Sequence, residues 1–339
     1  MHDILQDSGF REHYARGFLE TGITLPPPLV ESIRGHYAAR APGHNDFPKF
    51  FVDNEHQAYL EGAAIGAVLN TFRGFGRTLV KRFYDKAYSK AVYCDQQCVE
   101  AVLREVMAQG FARFFKTRYI VASYDMYLRN THLCPAAGIH TDLPNFHHFY
   151  ETENDISLYI PLVDLDEDNG GRITVLPEAR LKVPGNVVLK MLHDHFGTDP
   201  RWVDAQGYVD PNRIPPQAMA GFVRGRAHQD LMTLYKGVIA LAKKQHAHQF
   251  ETTVETAGRV LLFNNKNFHA AERWKNEALD REVYVVRMVP LYDVPIRLKA
   301  RLHGTRVNNF LLDMETGEVQ RFDEEVDVRR IAAADKLPL

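Results

Sequence analysis

Three side chains in this sequence have the types and order to hold a redox metal: His140 and Asp142, one residue apart, and His269 far downstream. Two imidazoles and one carboxylate fill three positions on one side of an iron(II) ion and leave three for a chelating co-substrate and dioxygen. On a strand, residues i and i+2 share a face, so a single His-x-Asp delivers two ligands in one direction. The tripeptide alone is weak, because His44-Asn45-Asp46 and His228-Gln229-Asp230 also carry it among the 16 histidines. His44 lies in a polar loop flanked by Pro and Gly. His228 opens a helical stretch, where i and i+2 do not share a face, and Asp230 suits the helix N-terminus. His140 follows Ala136-Ala137-Gly138-Ile139 and sits between two strand-like stretches. That context favours His140 and Asp142.

The remaining imidazole comes after Phe263-Asn264-Asn265-Lys266-Asn267-Phe268, where a strand pattern ends. Arg281, twelve positions after His269, begins another strand pattern. A guanidinium is a rigid fork that grips a carboxylate through two N–H groups, as the far end of 2-oxoglutarate requires. Arg287 lies six residues further on and is expected on the same strand face, as a buried structural arginine paired with a carboxylate.

These residues must be positioned by a β-rich core. Strands are expected at 119–128, 156–162, 172–177, 259–263 and 281–289, all rich in β-branched and aromatic residues. A turn at Asp168-Asn169-Gly170-Gly171 opens the third, and Glu315-Thr316-Gly317 joins a C-terminal hairpin of 310–314 with 318–322. Residues 1–110 read mainly as helix. One helix starts after Pro26-Pro27-Pro28, apolar residues recur at helical spacing over 56–90, and a further helix over 97–109 stops at Gly110. An insertion at about 182–250 carries a helix over 229–249, and a long insertion of this kind is expected to form a lid or substrate wall. The organisation expected is a single domain over 1–339: a helical part to 110, a core over 111–292 with its insertion, and an extension over 293–339.

Bulk properties narrow the partners. With 41 basic against 43 acidic residues, the net charge of −2 offers no footprint for nucleic acid or an anionic membrane. Cys94, Cys98 and Cys134 are too few and too odd in number for a disulfide framework and suit a reducing cytoplasm. No apolar leader or membrane-length apolar run is visible, so a cytoplasmic protein is expected. A near-neutral chain with a long insertion fits a small-molecule substrate. The composition leaves monomer and homodimer equally open.

The combination of Gly138-Ile139-His140-Thr141-Asp142, the strands across Ile156 to Val175 with their Asp168-Asn169-Gly170-Gly171 turn, Phe268-His269 and Asp280-Arg281 resembles the phytanoyl-CoA dioxygenase (PhyH-like) branch of the Fe(II)/2-oxoglutarate oxygenases. Phe18-Leu19-Glu20-Thr21-Gly22-Ile23 resembles that family's opening strand. The resemblance spans about residues 15–292 and is dense at 119–178 and 258–290. It implies a β-rich α+β fold, a double-stranded β-helix (jelly roll, cupin-like) with N-terminal helices and a helical insertion. It also implies iron ligands at His140, Asp142 and His269, with Arg281 on the C5 carboxylate of 2-oxoglutarate. Tyr159, Tyr127 and Thr174 are the expected walls or hydroxyls of the co-substrate pocket. One of those hydroxyls must assist Arg281, because Ala271 stands where the family often has serine. His147, His148 and Arg224 are candidate substrate contacts. The implied reaction is hydroxylation of an unactivated C–H of a small metabolite, consuming 2-oxoglutarate and O2 and releasing succinate and CO2. Three alternatives predict other behaviour. A cupin-like metal oxygenase or isomerase would not need 2-oxoglutarate, an AlkB-like demethylase would bind nucleic acid, and a degenerate jelly-roll binding protein would retain no metal.

Overall fold

A computed structural model describes residues 16, 18–38, 88–93, 96–115, 117–134, 138–141, 156–177, 195–203, 215, 217–218, 221, 225–265, 267–291 and 309–322. Its frame is an antiparallel sheet of eight strands in the order β1-β7-β4-β9-β3-β10-β11, with β2 on the free part of β3. The strands are β1 (Phe18–Thr24), β2 (Tyr88–Tyr93), β3 (Tyr119–Asn130), β4 (Ile156–Pro161), β7 (Arg259–Asn264), β9 (Arg281–Leu291), β10 (Asn309–Asp313) and β11 (Val319–Phe322). A second sheet has the order β6-β5-β8, with β5 at Ile173–Val175, β6 at Glu251–Thr252 and β8 at His269–Ala271. Among the described residues, no helix is long and apolar enough to cross a membrane.

Alternation along β9 divides the large sheet into two faces. Tyr284, Val286 and Met288 turn one way and join the main apolar cluster. Helix α1 (Pro27–Ala38) contributes Val30, Ile33 and Tyr37 at helical spacing, and α2 (Gln96–Ala108) contributes Val99, Val102, Leu103 and Val106. The other face carries Arg281, Val283, Val285 and Arg287 on β9. Register places Ser157 opposite Arg287 and Tyr159 opposite Val285 on β4. These residues are also buried, yet they lie outside the helix-side cluster. The short sheet reaches this second face, where Arg281 Nε meets the carbonyl of Gly171 just ahead of β5.

One buried polar knot ties α1 to the sheet. Asp125 on β3 is 0% exposed, and its Oδ2 accepts from the hydroxyls of Tyr37 and Tyr284, the latter at 2.8 Å. Tyr127 stacks on Tyr37 with ring centroids 4.9 Å apart.

The expected strands and the C-terminal hairpin are present, and the hairpin joins the large sheet through β10 beside β3. The helix after the prolines and the one ending before Gly110 are also present. β1 stands where the resemblance implies an opening strand, and β2 occupies the end of the 56–90 stretch read as helix, the rest of which lies outside the described residues. Cys94 lies outside the described residues, while Cys98 and Cys134 are buried, with Cys134 Sγ accepting from Asn130 Nδ2 at 3.3 Å.

The polar knot predicts a specific cost. Tyr284→Phe removes one donor from a buried carboxylate and should lower unfolding free energy by about 1–3 kcal/mol. Urea denaturation measures it, and an unchanged midpoint would mean that the knot is not structural.

Candidate functional site

His140 and His269 meet across an antiparallel bridge. Each backbone N–H donates to the other's carbonyl at 2.9 Å. The bridge sets the two rings 4.3 Å apart, tilted by 51°. His140 Nδ1 lies 2.7 Å from the Gly138 carbonyl, and His269 Nδ1 lies 2.9 Å from the Asn267 carbonyl. A carbonyl only accepts, so each Nδ1 carries the proton and the neutral ring keeps its lone pair on Nε2. This backbone-held tautomer is the one in which imidazole ligates a metal through Nε2. Asp142, one residue past Thr141, lies outside the described residues. Among the described residues, no set of three His, Cys, Asp or Glu groups meets at one point.

The sheets that carry these rings follow from local sequence. Val175 pairs with His269 and Ile173 with Ala271, so these four share a face. Phe268 and Ile139 precede the two histidines and belong instead to a small apolar cluster with Leu176, Val238, Ile239, Ala242 and Phe250. Val238, Ile239 and Ala242 come from α3 (Arg226–Gln245), the helix of the insertion. Neighbouring residues of an extended chain point to opposite sides. The insertion's helix therefore packs behind the histidine pair through Ile139 and Phe268. His228 and Asp230 lie inside α3, where Asp230 faces Arg226 at 3.6 Å, so this His-x-Asp is helical as its spacing suggested.

The arginine site is built separately. Arg281 is buried, its Nε donating to the Gly171 carbonyl at 3.0 Å and its Nη2 to the Tyr159 hydroxyl at 2.6 Å. Five N–H groups serve a guanidinium, and these two bonds orient the fork while leaving donors for an anion. Gly171 is required here: its φ is +72°, and a Cβ would come within 2.8 Å of Arg281 Cδ and 2.9 Å of Trp274. Gly170 has a φ of +75°, and a Cβ there would collide with the Arg273 carbonyl. The Gly170-Gly171 turn is thus the seat into which Arg281 fits, and buried Trp274 walls its other side. Burial pushes the Tyr159 hydroxyl up to about 12, with Arg281 pulling the other way and Glu255 adding to the rise. Tyr159 is therefore a neutral O–H at physiological pH.

Two expected members of this pocket face away from it. Tyr127 pairs with Tyr284, so it lies on the helix side among Tyr37 and Asp125. Thr174 pairs with Ala270, on the face opposite His269, and its hydroxyl leans on the Ala270 carbonyl at 3.4 Å. Tyr159 is the hydroxyl that reaches Arg281. Arg287 is buried, and its Nη1 donates to Ser157 Oγ at 2.6 Å and Asn265 Oδ1 at 2.5 Å. His147, His148, Arg224 and His44 fall outside the described residues.

The sequence reading missed Trp274 and Glu255. Glu255 is 1% exposed, and among the described residues neither of its carboxylate oxygens has a hydrogen-bond partner. Burial pushes its carboxyl up to about 7, opposed by Arg259 and reinforced by Glu20.

No family model and no curated protein matches the chain. Some solved structures are similar in outline. HygX from Streptomyces hygroscopicus, with nickel and 2-oxoglutarate bound, is 12% identical, covering 85% of this chain and 88% of its own at a TM-score of 0.43. SnoK, a non-heme alpha-ketoglutarate-dependent carbocyclase from nogalamycin biosynthesis, is 12% identical over 87% of each chain at 0.46. ThoJ, a non-heme monooxygenase in a nickel complex, is 9% identical over 86% and 80% at 0.42. Likeness at this level assigns no activity, which rests on the chain's own residues.

Glu255 makes stability depend on pH. The folded chain holds its proton to about pH 7, while the unfolded chain releases it near the usual 4.5. The contribution is complete below the unfolded value, falls between the two and is fully lost above the folded one. Glu255→Gln should therefore melt at a higher temperature than the parent at pH 8 and at a similar temperature at pH 4.5. Parallel melting curves at both pH values would show that Glu255 ionises normally.

Proposed function

We propose that the chain is an Fe(II)- and 2-oxoglutarate-dependent oxygenase acting on a small-molecule metabolite. The observation that carries this reading is the pairing of His140 with His269, each Nδ1 held by a carbonyl. The donor set fits a divalent iron: His140 and His269 supply nitrogen, and Asp142, two residues from His140, supplies the carboxylate. With 2-oxoglutarate and O2, bound iron supplies the oxidising power to functionalise an unactivated C–H and releases succinate and CO2. The two sheets are read as a double-stranded β-helix whose inner face holds this chemistry, in the manner of the phytanoyl-CoA dioxygenase branch.

The geometry supports the following contributions from the protein itself. The Arg281 fork, fixed by Gly171 and Tyr159, pairs with the C5 carboxylate of 2-oxoglutarate. Tyr159 stays protonated and donates its O–H to the same carboxylate, the part that serine at position 271 would have played. Buried Val175, Ile173, Val283 and Val285 exclude water from between the sheets. Substrate placement decides whether the outcome is hydroxylation, desaturation or ring closure. His147, His148 and Arg224 are the residues assigned to the prime substrate.

Anaerobic addition of Fe(II) and 2-oxoglutarate should give a weak visible charge-transfer band, followed on aeration by succinate. His140→Ala and Asp142→Ala should abolish both. Arg281→Ala should raise the 2-oxoglutarate concentration needed by about a hundredfold, as expected when one partner of a buried, hydrogen-bonded charge pair is removed. Turnover without the keto acid, indifferent to Arg281→Ala, would replace this reading with the cupin-like alternative.

A further inference from the structure

Asn265 is 0% exposed. It stands two residues beyond Phe263, which pairs with Ser157, so it continues the sheet face that carries Ser157, Tyr159 and Arg287. Its Oδ1 accepts from Ser157 Oγ at 2.7 Å and from Arg287 Nη1 at 2.5 Å. Ser157 Oγ also accepts from Arg287 Nη1 at 2.6 Å, so the three side chains lock one another. A guanidinium only donates, so its partner on Asn265 must be the oxygen and the amide cannot be turned over. The planar amide then directs Nδ2 away from both partners. Among the described residues, Nδ2 is buried and meets no acceptor. Buried donors are paired in nearly every native protein, and an open one points to a partner that arrives with a ligand or a water.

β4 gives the spacing from this donor to the Arg281 seat. Tyr159, which meets Arg281, and Ser157, which meets Asn265, are two residues apart on one face, about 7 Å along the strand. A five-carbon diacid has a matching length: four carbon–carbon bonds of about 1.5 Å place its terminal carbons about 5 Å apart, and an oxygen extends each end. Buried Val283 and Val285, between the two arginines on β9, supply an apolar floor. Asn265 also leads to the histidine pair. It lies within a turn in which Asn267 N–H donates to the Asn264 carbonyl at 3.2 Å, and the Asn267 carbonyl holds His269 Nδ1.

We propose that Asn265 is a ligand-binding residue whose Nδ2 donates to an oxygen at the keto-acid end of 2-oxoglutarate while Arg281 holds the C5 carboxylate. This rests on the co-substrate reading above. Arg287 and Ser157 are positioning residues: by holding Oδ1 they aim the donor. The fold has already stripped water from Nδ2, so a ligand oxygen that reaches it gains a bond with little further desolvation or ordering of the protein. The site then selects by length as well as charge, because a ligand too short to present that oxygen leaves the donor unpaired.

The test is calorimetric titration of 2-oxoglutarate into the full-length chain loaded with Zn(II), a redox-inert ion of the same charge. Asn265→Ala and Asn265→Asp should each weaken binding about tenfold to a hundredfold. Asn265→Asp keeps the acceptor for Arg287 and Ser157 and should melt no lower than the parent, which separates lost binding from lost fold. Loss confined to Asn265→Ala would trace to the missing acceptor for Arg287, and loss confined to Asn265→Asp to the added charge; either result overturns the inference. Undiminished binding by both variants also overturns it and leaves Nδ2 to an ordered water. Were Asn265→Ala not to fold, NMR of the isotope-labelled parent decides. The side-chain N–H signals of Asn265, identified by their loss in Asn265→Asp, should move when 2-oxoglutarate is added, and signals that stay in place overturn the inference. Absence of 2-oxoglutarate binding by the parent overturns the co-substrate reading, and the inference with it.

Discussion

The bridge between His140 and His269 is the constraint on which the site depends. Two reciprocal main-chain hydrogen bonds set the two histidines opposite each other. Carbonyls two residues before each histidine then fix which nitrogen carries the proton. An imidazole pair set this way is ordered before any metal arrives, so little ordering entropy is left for binding to overcome. The apolar cluster of Ile139, Phe268 and α3 backs the bridge from one side.

The arginine seat obeys a different constraint, steric instead of hydrogen-bonded. Arg281 is buried because Gly170 and Gly171 take a backbone conformation open to few other residues and leave no room for a side chain. Tyr159 and the Gly171 carbonyl then consume two donor directions and aim the others. The two subsites share the short sheet: β8 carries His269, and Gly171 leads into β5 beside it. A change in the turn would therefore disturb Arg281 first and the histidine pair only through β5.

Much of this was legible in residue types. Val/Ile/Tyr-rich runs marked the strands, and the glycine pair marked the turn. His-x-Asp and a distant His singled out His140 and His269, which the fold brings together. What could not be read was the side of the sheet each residue faces. Parity is set by pairing, and the irregularity between Ala122 and Tyr124 shifts it along β3. Tyr127 therefore lies among the helix-side tyrosines, and Thr174 turns from the pocket with Ala270. β2 was hidden because Tyr88-Ser89-Lys90-Ala91 continues a stretch of helical spacing, and only pairing with β3 makes it a strand. Glu255 gave no signal, since a lone acid in a polar run looks solvated until its neighbour Val254 is found facing water.

The central claim is that one metal is held by the imidazoles of His140 and His269. X-ray absorption at the iron edge of the Fe(II)-loaded full chain measures this directly. The account predicts scattering from two imidazoles, reduced to one in His269→Ala. A spectrum with only oxygen scattering, or one unchanged by His269→Ala, would contradict it.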